Sequence, residues 1–85
     1  MSARRVTLYA RPDCHLCDEA RAILAPLVAA APGGELVEVD IDSDDELLAR
    51  YLERIPVIEV DGAEVSELVP DAEALRAILL HTSPG

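Results

Sequence analysis

Four short strand-like segments separated by helical spacing fix the order of elements. Arg5-Val6-Thr7-Leu8-Tyr9-Ala10 is rich in β-branched and aromatic residues and ends at Arg11-Pro12-Asp13, which reads as a strand followed by a turn. From Cys14 onward, Leu16, Ala20, Ile23, Leu24, Leu27 and Val28 recur at helical spacing. Ala29 to Gly34 is a stop and turn, and Glu35 to Asp42 alternates polar with apolar residues as a second strand. A short helix through about Leu52, a strand Val57–Val60, an Asp61-Gly62 hairpin turn and a strand Ala63–Ser66 follow. A last helix after Pro70 carries Leu75, Ile78, Leu79 and Leu80, and His81 to Gly85 is a tail. The predicted order is β-α-β-α-β-β-α: a right-handed βαβ unit with parallel strands, then a hairpin and a helix. A four-stranded mixed sheet with helices on both sides buries all these faces, which is an α/β class. At 85 residues the chain is expected to be a single domain over 1–85.

Local signals sharpen the helix ends. Asp13 stands where a cap for the first helix is expected. Pro26 removes one backbone bond and should kink that helix or end its regular part. Ser43-Asp44-Asp45-Glu46 has capping-box spacing, with Leu47, Leu48, Tyr51 and Leu52 on the buried side and Glu46 positioned to pair with Arg50. Asp71 caps the last helix.

Composition removes whole classes of function. Apolar residues are 51% of the chain, enough for a core, and with no Phe or Trp that core is aliphatic around Tyr9 and Tyr51. Lys+Arg is 7 against Asp+Glu 17, a formal net charge of -10, which disfavours nucleic acid and anionic membrane surfaces as partners. All seven cations are Arg; the absence of Lys excludes a Schiff-base lysine and a Walker-type phosphate loop. The Arg-for-Lys bias itself reads as coding composition. No apolar run reaches the length of a transmembrane helix, and Met1 to Arg5 leads straight into strand-like sequence without a secretory signal. The expected compartment is the cytoplasm.

In a reducing compartment, Cys14-His15-Leu16-Cys17 suggests redox or metal chemistry, because a bridge closing so short a loop adds little chain-entropy stabilisation. The pair sits after a strand and at the start of a helix. A helix N-terminus offers free amide donors and the positive end of a dipole, so a thiolate there is stabilised. The first cysteine lies at the exposed entrance and the second one turn in. This assigns Cys14 as the attacking thiol and Cys17 as the resolving thiol. Arg11, Arg21 and a protonated His15 favour the thiolate, whereas Asp13, Asp18 and Glu19 oppose it.

The stretch Tyr9-Ala10-Arg11-Pro12-Asp13-Cys14-His15-Leu16-Cys17, the Ile55-Pro56-Val57 segment and the Asp61-Gly62 turn resemble a glutaredoxin. They are most similar to small bacterial glutaredoxin-like proteins with a Cys-His-Leu-Cys centre. The resemblance runs from Val6 to about Leu80 and implies a thioredoxin-like fold and thiol–disulfide oxidoreductase activity. It further implies a cis Pro56 facing the redox pair and Ile55 as the backbone that pairs with an incoming peptide or glutathione. Arg11 stands where the family carries a lysine that contacts a glutathione carboxylate, with Tyr9 and His15 as supporting residues. Ser66 and Glu67 replace the family's usual Gly-Gly pair, and His15-Leu16 replaces the commoner Pro-Tyr. Loss of the glycines narrows the site, and a charge at Glu67 repels an anionic ligand. Glutathione is therefore expected as a weak co-substrate, with no tightly bound cofactor and no metal. The expected partner is a disulfide-containing protein or a low-molecular-weight thiol, and the chain is expected to act as a monomer.

A second class stays open on the same residues: a non-enzymatic thioredoxin-fold module that holds zinc, a shared iron–sulfur cluster or a partner through Cys14 and Cys17. Zinc takes four ligands, and the remaining candidates are His15 and His81.

Overall fold

The computed structural model describes residues 4–31 and 33–80. Its elements are β1 (Arg5–Ala10), α1 (His15–Ala30), β2 (Glu35–Asp40), a 3-10 turn (Ile41–Ser43), α2 (Asp45–Tyr51), β3 (Val57–Val60), β4 (Ala63–Ser66) and α3 (Ala72–Leu80). The strands form one mixed sheet in the order β2-β1-β3-β4. β1 runs parallel to β2 and antiparallel to β3, and β3 runs antiparallel to β4. This is the expected order of elements. The proposed tail, with His81, lies outside the described residues.

Alternation along β1 sends its side chains to two different cores. Val6, Leu8 and Ala10 join Cys17, Ala20, Leu24 and Val28 of α1, Ile58 and Val60 of β3, and Leu75 and Leu79 of α3. On the other face, Ile41, Tyr51 and Val57 are buried with Tyr9, Leu47, Leu48 and Ile55 packed against them. Thus α1 and α3 cover one face of the sheet and α2 the other. The β3–β4 turn places Asp61 at φ 53° and Gly62 at φ 88°, the two left-handed residues that a tight hairpin between twisted strands requires. Asp61 Oδ1 also accepts the Arg5 amide at 2.9 Å, which ties this turn to the start of β1.

Several end signals sit one residue away from their expected places. The Cys14 sulfur, not the Asp13 carboxylate, caps α1; Asp13 has a left-handed φ of 60° in the preceding turn. Asp44, not Ser43, caps α2 by accepting the Glu46 and Leu47 amides, while the Ser43 hydroxyl donates to the Asp40 carbonyl. β2 stops at Asp40 because that carboxylate accepts the Asp42 amide and starts the 3-10 turn. Helix α1 continues through Pro26 to Ala30. Ala22 and Pro26 are both exposed, so the carbonyl left without its helical donor faces solvent and the helix absorbs the loss. Leu52 is 42% exposed, outside the expected buried face. Arg50 lies 5.9 Å from the Tyr51 ring centre instead of forming the expected pair with Glu46.

Candidate active site

Cys14 and Cys17 form a disulfide with their Cα atoms 5.1 Å apart. The pair sits at the junction of the β1–α1 turn and α1, where four backbone amides lack helical acceptors. The Cys17 amide donates to the Cys14 sulfur at 3.1 Å. Cys14 is half-buried, whereas Cys17 is fully buried in the core beneath α1. Cys14 is thus less buried than Cys17, in the order the sequence suggests, but it is half-buried rather than exposed. A sulfur that accepts a helix N-terminal amide is stabilised as the thiolate once the bond is reduced.

The cations expected to help it are engaged elsewhere. Arg11 Nε is 3.3 Å from Asp42, on the 3-10 turn. Arg21 makes a two-pronged contact with Glu38 at 2.8 and 2.5 Å and reaches Asp18 at 2.7 Å. The hydrogen bonds from Arg21 hold Glu38 below the usual carboxylate range, and those from Glu38 and then Asp18 push Arg21 up. His15 is largely exposed and lies 3.1 Å from Glu19, one turn along α1. Asp18 and Glu19, expected to oppose the thiolate, are thus the partners of Arg21 and His15. A cavity of about 150 Å³ beside the Arg11-Pro12-Asp13 turn is lined by Arg11, Arg21 and the acids Asp13, Asp18, Glu38 and Asp40, with neither cysteine in its wall. The donor that reaches the Cys14 sulfur is the Cys17 amide.

Ile55–Pro56 is a cis peptide, and Pro56 is buried. In the register, Tyr9 of β1 lies opposite Val57 of β3. Pro56 therefore stands at the end of the sheet from which β1 leads to Cys14. Cys14 and Ile55 both pack against the core cluster under α1. The expected use of the Ile55 backbone is halved, however. Its amide already donates to the Tyr51 carbonyl at 3.0 Å, because the chain leaves α2 in tight turns. Among the described residues no backbone amide outside the regular elements donates to the Ile55 carbonyl.

Tyr9 is not beside the redox pair. It lies on the opposite face of the sheet from α1, stacked on Tyr51 with ring centres 4.4 Å apart at 24°. Its hydroxyl donates to Glu59 at 3.4 Å. Burial first, then the neighbouring Glu59 charge, pushes the Tyr9 phenol up. Glu67, expected as a repulsive charge, accepts from Arg54 Nε at 2.8 Å, and the same guanidinium pairs with Glu64, so one cation is shared by two carboxylates. Arg54 was invisible to sequence patterning because these partners lie 13 and 10 residues away, across the hairpin.

The Glutaredoxin-like domain (DUF836) family matches residues 5–80. An uncharacterized protein of Mycobacterium tuberculosis is 30% identical over 90 residues, spanning 100% of this chain and 92% of that protein. The X-ray structure of XcR50 from X. campestris is 40% identical, with a TM-score of 0.73 over 92% of this chain and 99% of the other. Oxidized mitochondrial thioredoxin 3 from Saccharomyces cerevisiae superposes with a TM-score of 0.69 over 96% of this chain and 81% of its own, at 17% identity. That likeness is one of fold. The glutaredoxin-like family match, together with paired cysteines at the first helix entrance, supports a redox-type role. No helix among the described residues is long and apolar enough to cross a membrane. The chain belongs to the glutaredoxin-like domain family.

Proposed function

We propose that this protein is a thiol–disulfide oxidoreductase in which Cys14 attacks and Cys17 resolves. The observation that carries the reading is the contact from the Cys17 amide to the half-buried Cys14 sulfur, with Cys17 itself buried behind it. In the reduced protein the Cys14 thiolate attacks one sulfur of a substrate disulfide, and the substrate S–S bond breaks. The departing thiolate takes a proton from water, leaving Cys14 in a mixed disulfide. Cys17 then loses its proton and attacks the Cys14 sulfur, expelling the second substrate thiol and forming the Cys14–Cys17 bond. The substrate gains two electrons, which an external dithiol, or two monothiols, must return to the protein, being oxidised to a disulfide.

The substrate is a protein disulfide, docked beside Ile55 and Pro56 and accepted by a single chain. Glutathione serves as a weak co-substrate. The basis for that weakness is the single free hydrogen-bonding atom at Ile55 and the pairing of Arg11 with Asp42.

The test uses insulin disulfides with dithiothreitol as the reductant. Cys14→Ser should reduce turnover to the uncatalysed background, and Cys17→Ser should accumulate a mixed disulfide through Cys14, read by mass spectrometry. An adduct formed by Cys14→Ser through Cys17 would reverse the roles, and unchanged turnover in both variants would reject the reading.

A further inference from the structure

We propose that Arg54 is a positioning residue for polypeptide substrates, one that fixes the docking edge beside the redox pair without touching the reacting sulfurs. The proposal rests on the oxidoreductase reading above and names the substrate class that the edge is built for.

Three pieces of chain meet at Arg54. Its amide donates to the Tyr51 carbonyl at 2.8 Å, at the end of α2, and its carbonyl accepts the Leu68 amide at 3.0 Å. Its guanidinium binds Glu67 at 2.8 Å, pairs with Glu64 on β4 and lies 5.6 Å from the Tyr51 ring centre. The residue that follows is Ile55, so the clamp joins the pre-proline segment to the β4–α3 connection on its far side. That connection would not hold its shape on local preference alone. Leu68 has a left-handed φ of 64°, which is unfavourable for a side chain of its size, and it stays 44% exposed with no burial to offset that cost. What keeps it there is the backbone bond to Arg54 and the ion pair at Glu67.

Because the Ile55 amide is already used, an extended substrate finds one backbone acceptor at this edge, the Ile55 carbonyl. One hydrogen bond does not orient a polypeptide, so orientation depends on the neighbouring wall, which is the Glu67–Leu68 segment that Arg54 holds. A small disulfide has no extended chain to lay along that wall. Arg54 should therefore matter for polypeptide disulfides and be silent for small ones.

The experiment compares wild type, Arg54→Ala, Arg54→Lys and Glu67→Gln with insulin disulfides and with 2-hydroxyethyl disulfide, dithiothreitol being the reductant. For Arg54→Ala the expected result is an insulin KM raised up to about fivefold, the upper end for losing an exposed ion-pair contact, with kcat and 2-hydroxyethyl disulfide turnover unchanged. Glu67→Gln should shift KM in the same direction by less, and Arg54→Lys should recover part of the loss because it keeps the charge without the two-pronged geometry. Thermal melts show whether each variant is folded; if Arg54→Ala is not, Glu67→Gln carries the same comparison. An unchanged insulin KM, or a proportional fall with both substrates, would overturn the role of Arg54. Reduction of neither substrate by wild type would overturn the oxidoreductase reading itself.

Discussion

The two faces of the sheet are built differently. Under α1 and α3, the buried cluster draws on two helices and two strands, and Cys17 is one of its members. Under α2, three buried residues are supplemented by half-covered ones, a stacked tyrosine pair and two guanidinium contacts to Tyr51. Cys17 is anchored in the thick layer. The pre-proline segment hangs from the thin layer through the bonds to Tyr51. Under the proposed oxidoreductase reading the difference separates two tasks: the sulfurs are held by ordinary core packing, while the proposed docking segment is held by polar and aromatic contacts.

The largest expected effect lies in the thick layer. Leu24→Ala empties a fully buried position on α1 and should cost about 2–5 kcal/mol, read from the urea midpoint. Leu48→Ala, at a half-covered position under α2, should cost about 1 kcal/mol, the transfer cost of a partly buried side chain. Equal costs would mean that the faces are energetically alike. Tyr51→Leu comes next among the thin-layer changes. It keeps an apolar side chain but removes the stacked pair, a loss of about 0.5–1.5 kcal/mol. It should raise the insulin KM while leaving the alkylation rate of reduced Cys14 unchanged; a slowed alkylation would tie the two layers together.

What the sequence revealed, and what it concealed, follows the distance over which each signal acts. The hairpin was legible because Asp61-Gly62 is a local steric requirement, and the redox pair because strand, turn and helix are contiguous around it. The caps slipped by one residue because runs such as Cys14 after Asp13 and Asp44 after Ser43 offer adjacent acceptors, and only the backbone path selects between them. Pro26 by itself signals a kink or the end of regular helix, yet at an exposed position the unpaired Ala22 carbonyl meets solvent and α1 runs on to Ala30. The contacts of Arg54 with Glu67, Tyr9 with Tyr51 and Arg21 with Glu38 join residues far apart in the chain, so neither spacing nor charge pattern could foretell them.

The smallest expected effect belongs to Arg21 and Glu38, which bridge α1 to β2 at the surface. The folded carboxyl has a lowered pKa, so its contribution is fully present above the ordinary value of 4.5 and fades as pH falls through the lower folded value. Both side chains are 40% exposed, so solvent screening keeps the gain below about 1 kcal/mol. Glu38→Gln should therefore lower Tm slightly at pH 7 and match wild type well below pH 4.5. A gap that persists in acid would assign the effect to packing rather than charge.

The assignment of roles to the two cysteines is tested most directly by labelling the fully reduced protein with limiting iodoacetamide at neutral pH and locating the label by mass spectrometry. Cys14, half-buried and facing the Cys17 amide, should carry nearly all of it, with Cys17 protected by complete burial. Label found first on Cys17, or divided evenly between the two, would contradict the account.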